Sequence, residues 1–191
     1  MIGDSAADLM ARGVVTNAFK EGDPGVTVPG SLIGTSRLYR FADGNTALRL
    51  CTADYTHAGS ALGRLKRLVS INSALEVDLT GQVNAEAVGT DYVGAVGGQV
   101  DFVRAASQAE GGASIVALPA TGRAGASRIV AQLGGPVTTP RSDVDVVATE
   151  FGVARLRGRS LRERARALAA IAAPEHRDHL ERAARAQLGG S

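Results

Sequence analysis

The sequence predicts an α/β domain with a helical C-terminal tail, and three observations lead there. Short β-prone runs fill the middle of the chain, helical stretches cross between them, and from Ser160 onward helical periodicity takes over. Strand and helix signals that interleave in this way favour a mixed fold over an all-β one. The 24 glycines are scattered rather than gathered in a tract, so they mark turns and close backbone approaches, not a linker.

The elements follow in order. Asp4 to Arg12 places Ala7, Leu9 and Met10 on an amphipathic stretch closed by Gly13, a short helix with Asp4 or Ser5 as its cap. Val14-Val15 and Val26-Thr27-Val28 are short β-prone runs separated by the turn-forming Gly22-Asp23-Pro24-Gly25. Leu38 to Ala42 begins another helix, ended at Asp43-Gly44-Asn45. Leu68 to Leu79 alternates imperfectly and reads as extended, and Gly81-Gln82-Val83 follows a turn. Phe102 to Ala109 reads as helical after a glycine-rich entry at Gly94 to Gly98. Ser114 to Pro119 is a continuous apolar run of the kind found in buried strands. Ile129-Val130 and Val144 to Ala148 supply two more strands. Ser160-Leu161-Arg162-Glu163 has capping-box spacing and opens a helix to Ala172. Pro174 restarts a second helix, His176 to Leu188, which Gly189-Gly190 ends.

Length and composition bound the function. A chain of 191 residues suits one domain, or at most one and a half, with a real core, and no internal repeat or long linker marks a second domain. The charge balance of 21 basic against 19 acidic residues, with no Trp and little aromatic content, lacks the basic stripe with interleaved aromatics that nucleic-acid binding requires. No apolar run reaches the length of a membrane span, and the N-terminus carries no signal-peptide pattern. The single Cys51 rules out an internal disulfide framework and fits a reducing compartment, so a cytoplasmic protein is expected. Cys51 itself reads as a half-buried small hydrophobe.

Longer strings of residues carry more information. The run Ile71-Asn72-Ser73-Ala74-Leu75-Glu76-Val77-Asp78-Leu79-Thr80-Gly81-Gln82-Val83-Asn84-Ala85-Glu86 is followed by Gly94-Ala95-Val96-Gly97-Gly98-Gln99-Val100-Asp101-Phe102-Val103-Arg104. Then come Ser114 to Pro119, Ser127-Arg128-Ile129-Val130, Thr138-Thr139-Pro140-Arg141-Ser142-Asp143-Val144, and Val147 to Ala154 leading through Leu156-Arg157-Gly158. In this order the blocks resemble the C-terminal domain of the acetyl-CoA hydrolase/transferase family, the acetate and 4-hydroxybutyrate CoA-transferases among them, over nearly the whole chain.

The resemblance implies an open α/β sheet flanked by helices, one half of a CoA-transferase-superfamily enzyme. It implies movement of CoA between an acyl-CoA and a carboxylate such as acetate, or hydrolysis of the thioester, with coenzyme A as substrate, no permanently bound cofactor and no metal. In such enzymes a glutamate carboxylate attacks the thioester and a glutamyl-CoA intermediate forms. That glutamate is expected upstream of this chain, so an N-terminal-half partner chain or a homo-oligomer is expected too. The alternative is a non-catalytic CoA-binding or scaffold domain; a self-sufficient thioesterase using Glu150 or Asp78 as a base is a third.

By the same resemblance, Gly98 is assigned to the oxyanion site and Gly97 to the freedom of its turn. Gly94, Val96, Gly97, Gly98 and Gln99 line the CoA-binding loop, although Ala95 stands where a glycine is expected. Arg123 is matched to a basic residue touching CoA, and a solvated loop arginine is the competing reading. Glu150 is matched to an active-site carboxylate, against a plain strand-end glutamate. Asn72, Glu76 and Asp78 read as residues that satisfy buried backbone groups. His176 and His179, three apart on a helix, read as solvated in the absence of a third ligand, and the Arg155 to Arg166 run as a salt-bridged surface.

Overall fold

A computed structural model describes residues 1–189, which fall into two compact units, Met1–Lys66 and the residues from Arg67 onward. The first unit contains the helices α1 (Asp4–Ala11), α2 (Ser36–Ala42), α3 (Ala53–Thr56) and α4 (Gly59–Leu62). Its cap differs from expectation. The Asp4 carboxylate accepts from the Thr35 N–H and hydroxyl, both at 2.9 Å, and Gly3 takes the N-cap position instead. Those bonds, the Thr35 N–H first among them, hold Asp4 below the usual carboxylate range. The Val14-Val15 and Val26-Thr27-Val28 runs do not become strands. Thr27 pairs with Leu48 in an isolated parallel bridge, and Val14 and Val15 remain exposed, because so short a run has no neighbouring strand to bond.

The second unit is built on a mixed sheet. Strands β1 (Val69–Ser73), β6 (Ala113–Ala117) and β8 (Val146–Thr149) run parallel, and β9 (Gly152–Arg155) returns antiparallel to β8. Between β1 and β6 lie β2 (Glu76–Asp78), β3 (Val83–Asn84), a small hairpin of β4 (Ala87–Val88) and β5 (Asp91–Tyr92), and helix α5 (Gln99–Gln108). β2 pairs antiparallel with β3 and parallel with β7 (Ile129–Val130), giving a second, three-stranded sheet. Helices α6 (Leu161–Ala170) and α7 (Pro174–Leu188) close the unit, and the expected end of α7 at Gly189-Gly190 lies partly outside the described residues. The sheet-and-helix architecture agrees with the α/β reading, with the helical tail in place.

Packing follows from the burial pattern. In β6 the residues alternate, with Ser114 and Val116 buried and their neighbours only partly covered, so the continuous apolar run serves both faces of the sheet. α5 packs on β1 and β6, and α6 packs on β9. Val77, Val83, Val116, Ile129, Val147 and Leu168 are fully buried in one shared core. Each such side chain contributes about 1.5–3 kcal/mol relative to exposure. α6 starts as its sequence predicts: the Ser160 hydroxyl caps Glu163, and the Glu163 carboxylate accepts the Ser160 N–H at 2.8 Å. Strand β9 was not legible beforehand, since only Ala154 of its four residues is buried. No described helix is long and apolar enough to cross a membrane.

The polar residues of the central signature hold the three-stranded sheet together. Asp78, 1% exposed, accepts from the Thr80 N–H (2.9 Å), the Thr80 hydroxyl (2.7 Å), the Gln82 N–H (3.0 Å) and the Gln82 amide (2.8 Å). This is the backbone-satisfying role expected of it, whereas the Asn72 side chain donates to the Ser70 hydroxyl, at 2.7 Å. Arg164 departs from the salt-bridged-surface reading of its run. Its guanidinium donates to the carbonyls of Thr80 and Arg141, and the burial this entails lowers its pKa.

Two outcomes follow. Asp78→Ala strands two backbone donors at a buried turn and lowers stability by about 3 kcal/mol, measured as a shift in the urea midpoint. Glu163 is held below the usual carboxylate range chiefly by the Ser160 N–H. A depressed folded-state pKa gives stability that is full above the unfolded value and is lost as pH falls through the folded one. The urea midpoints of the wild type and Glu163→Gln therefore differ at neutral pH and converge on acidification through that range.

Candidate functional site

Parallel strands place the segments that follow them on one edge of the sheet, where α/β proteins commonly bind ligands. The connection from α5 to β6 is short, and Ala113 N–H bonds the Leu68 carbonyl at the start of β1 (3.0 Å). The C-terminus of α5 thus lies at the amino edge of β1 and β6, and its N-terminus points to their carboxyl edge. There the topology gathers the Gly94–Gly98 loop, the loop of residues 120–128 after β6, and Glu150 after β8.

The glycine loop is shaped from below. The Val93 and Gly94 N–H groups both bond the Glu86 carbonyl, at 2.8 and 2.9 Å. A Cβ on Gly94 would stand 2.5 Å from the Ala85 carbonyl oxygen, so no side chain fits there. Gly97 has φ +55 in open space, the left-handed conformation that favours glycine. Gly98 is the N-cap of α5 and provides no side chain to bond the first turn. Its own N–H has no backbone partner among the described residues. The Gln99 N–H bonds the Val96 carbonyl at 3.5 Å, and no side chain caps the remaining N–H groups of the first turn, which carry the positive end of the helix dipole. Asp101 in the first turn offsets part of that field.

Gln99 fixes the entry of the helix: its side-chain amide donates to the Thr139 hydroxyl at 3.1 Å. Thr139 is fully buried and bridges Val83. Beside it the Thr138 hydroxyl donates to Glu86 (2.8 Å) and accepts from the Ala85 N–H (2.8 Å). Val96 is exposed on the loop surface.

The loop of residues 120–128 is a small hairpin. Thr121 and Ser127 bridge, the Arg128 N–H bonds the Ala120 carbonyl (2.9 Å), and the Gly122 N–H bonds that of Ala126 (2.7 Å). Ala124 and Gly125 both have positive φ at its tip. Arg123 is exposed there, and its guanidinium has no partner among the described residues. Glu150 is exposed as well, but one carboxylate oxygen accepts the Ala120 N–H at 2.8 Å. Glu150 therefore ties the base of this loop to the end of β8, and its second oxygen accepts no hydrogen bond among the described residues.

Sequence reasoning missed the Thr138 and Thr139 supports and His176. Instead of being merely solvated, His176 places Nε2 2.8 Å from the Gly125 carbonyl. The corresponding signals are long-range contacts that no local pattern encodes. His179 is exposed, and among the described residues no group of three or more His, Cys, Asp or Glu is arranged to hold a metal. A cleft of about 410 Å³ between α6 and α7, lined by Arg162, Arg166, Glu181 and Arg185 among others, includes none of the loop residues.

Comparison with known proteins adds the following. The acetyl-CoA hydrolase/transferase C-terminal domain matches residues 34–184. The 4-hydroxybutyrate coenzyme A transferase of Clostridium kluyveri is 44% identical over 183 residues, covering 94% of this chain and 43% of that protein. The succinyl-CoA:cyclohexane-1-carboxylate CoA transferase of Geobacter metallireducens is 43% identical over 188 residues, covering 97% and 43% respectively. The crystal structure of RipA from Yersinia pestis superposes with a TM-score of 0.93 at 39% identity, covering 98% of this chain and 43% of that one. The chain thus spans less than half the length of these relatives.

The loop geometry separates its glycines. Gly94→Ala forces the backbone apart and unfolds or displaces the loop, whereas Gly97→Ala costs about 1 kcal/mol of left-handed strain and leaves the fold intact. Thermal denaturation of the two variants reads the difference.

Proposed function

The chain belongs to the acetyl-CoA hydrolase/transferase family, and on that footing we propose that it is the C-terminal half of a CoA-transferase. It would move CoA between an acyl-CoA, acetyl-CoA-like, and a small carboxylate such as acetate. The observation that carries this reading is the uncapped N-terminus of α5 behind Gly98 at the carboxyl edge of the parallel sheet. An oxyanion forms at each tetrahedral stage of acyl transfer, and preset backbone N–H groups stabilise it without reorganising.

In the proposed sequence a glutamate carboxylate adds to the thioester carbonyl, the C–S bond breaks, and CoA leaves as a thiolate. The thiolate then attacks the resulting anhydride at the glutamyl carbonyl, giving a glutamyl-CoA thioester and releasing the first carboxylate. A second carboxylate takes up the CoA by the reverse steps. We assign the glutamate to a part of the protein outside these 191 residues. Glu86 is engaged with Thr138 and Glu150 with Ala120, while Glu76 sits in β2 opposite Asn84.

The residues of this chain take supporting parts. Gly98 donates to the oxyanion, and Gly94, Val96, Gly97 and Gln99 form the surface along which CoA lies. Arg123 offers a cation to a phosphate or the pantetheine amides. Glu150 holds the Arg123 loop with one oxygen and presents the other to a positively charged group of the site. Coenzyme A enters and leaves as a substrate. The partner is the remaining half of the enzyme, on the same or another chain.

Gly98→Asp provides the test. A carboxylate at the N-cap stabilises α5, and it also occupies the donors proposed for the oxyanion. The variant should keep or raise the urea midpoint while transferase turnover of the assembled enzyme falls about 10²-fold or more. Unchanged turnover removes Gly98 from the oxyanion site. Failure of the wild-type chain to bind CoA in calorimetric titration removes the CoA surface altogether.

A further inference from the structure

We propose that His176, on the first turn of α7, is a positioning residue that orders the loop of residues 120–128 and so presents Arg123 to CoA; the second clause rests on the function proposed above. The loop is secured at its base but not at its tip. Glu150 holds Ala120, Arg128 pairs back to Ala120, and Thr121 bridges Ser127. At the tip Ala124 has φ 54 and Gly125 has φ 76. A left-handed conformation costs an alanine about 1–2 kcal/mol, so the turn gains from an outside support. Among the described residues the one hydrogen bond reaching the tip from outside the loop comes from His176, whose Nε2 lies 2.8 Å from the Gly125 carbonyl. A carbonyl only accepts, so Nε2 carries the hydrogen.

His176 is itself fixed to the frame that carries Glu150. The Thr149 hydroxyl donates to the Ile171 carbonyl at 2.6 Å, which seats the turn between α6 and α7 on the end of β8. The next residue along α7, Arg177, places its guanidinium 5.7 Å from the centre of the Phe151 ring and bonds the Ala172 carbonyl at 2.9 Å. One rigid turn therefore meets the segment after β8 through Arg177 and the loop after β6 through His176. A loop arginine held in place before its anion arrives loses less conformational freedom on binding.

The test compares His176→Ala with His176→Gln in the full 191-residue chain, because the glutamine amide can donate from nearly the same position. Hydrogen exchange across residues 122–126 should speed up about tenfold in His176→Ala, and the Kd for CoA should rise about fivefold, the worth of one hydrogen bond. His176→Gln should restore both, with the urea midpoint little changed in either variant. In an Arg123→Ala background the CoA penalty of His176→Ala should vanish, because the effect passes through that arginine. Unchanged exchange in His176→Ala, absence of rescue by glutamine, or an equal CoA penalty without Arg123 would overturn the proposal. A wild-type chain that binds no CoA sinks the CoA-transferase reading before any variant is made, and exchange alone then decides the brace.

Discussion

The parallel register of β1, β6 and β8 is the constraint from which the candidate site follows. Val69 to Ser73 pair with Ala113 to Ala117, and Ile115 to Ala117 pair with Val146 to Ala148, all in one direction. Parallel pairing requires a crossover, and α5 supplies one side of it. Once the strands share a direction, the segments leaving them share an edge. Ala120 and Glu150, which follow β6 and β8, come to one edge for that reason, and α5, running back along the sheet, brings Gly98 to the same edge.

Around this edge the polar side chains do little that is visible from solvent. Asp78 closes the turn after β2 and Asn84 closes the turn after β3, with its side chain bonded to the Glu86 and Ala87 N–H groups and the Ala87 carbonyl. Thr138 and Thr139 pin the glycine loop and α5 through Glu86, Ala85 and Gln99. Each of these groups is buried or half-buried and satisfied, so each holds the backbone at little cost in desolvation. The candidate site is the reverse: Gly97, Arg123 and Glu150 are exposed, and the N-terminus of α5 has no side-chain cap. A rigid, satisfied support beneath an open set of donors is the arrangement that electrostatic preorganisation requires.

Two glutamates of the chain serve this support as well. Glu86 has its carboxylate drawn into the Thr138 bond, and Glu150 into the Ala120 bond. Each is oriented by the fold for support.

Where patterns are local, the sequence determined the outcome. The Ser160 to Glu163 spacing gave a capping box, Pro174 began α7, and the β-prone run from Leu68 became β1 and β2 because hydrophobic alternation and end signals act within a few residues. The ordered blocks around Gly94 to Gly98 and Glu150 likewise pointed to the family and to the glycine loop. Only the tertiary structure decided which of those residues meet. The Glu150 bond to Ala120 spans 30 residues and the His176 bond to Gly125 spans 51. Neither has a periodic signature, because both arise from the strand register and the packing of the α6–α7 turn on β8. The same physics left Val14-Val15 without a strand and moved the α1 cap from Asp4 or Ser5 to Gly3: a strand or a cap is completed by a partner, and the partner is chosen in space.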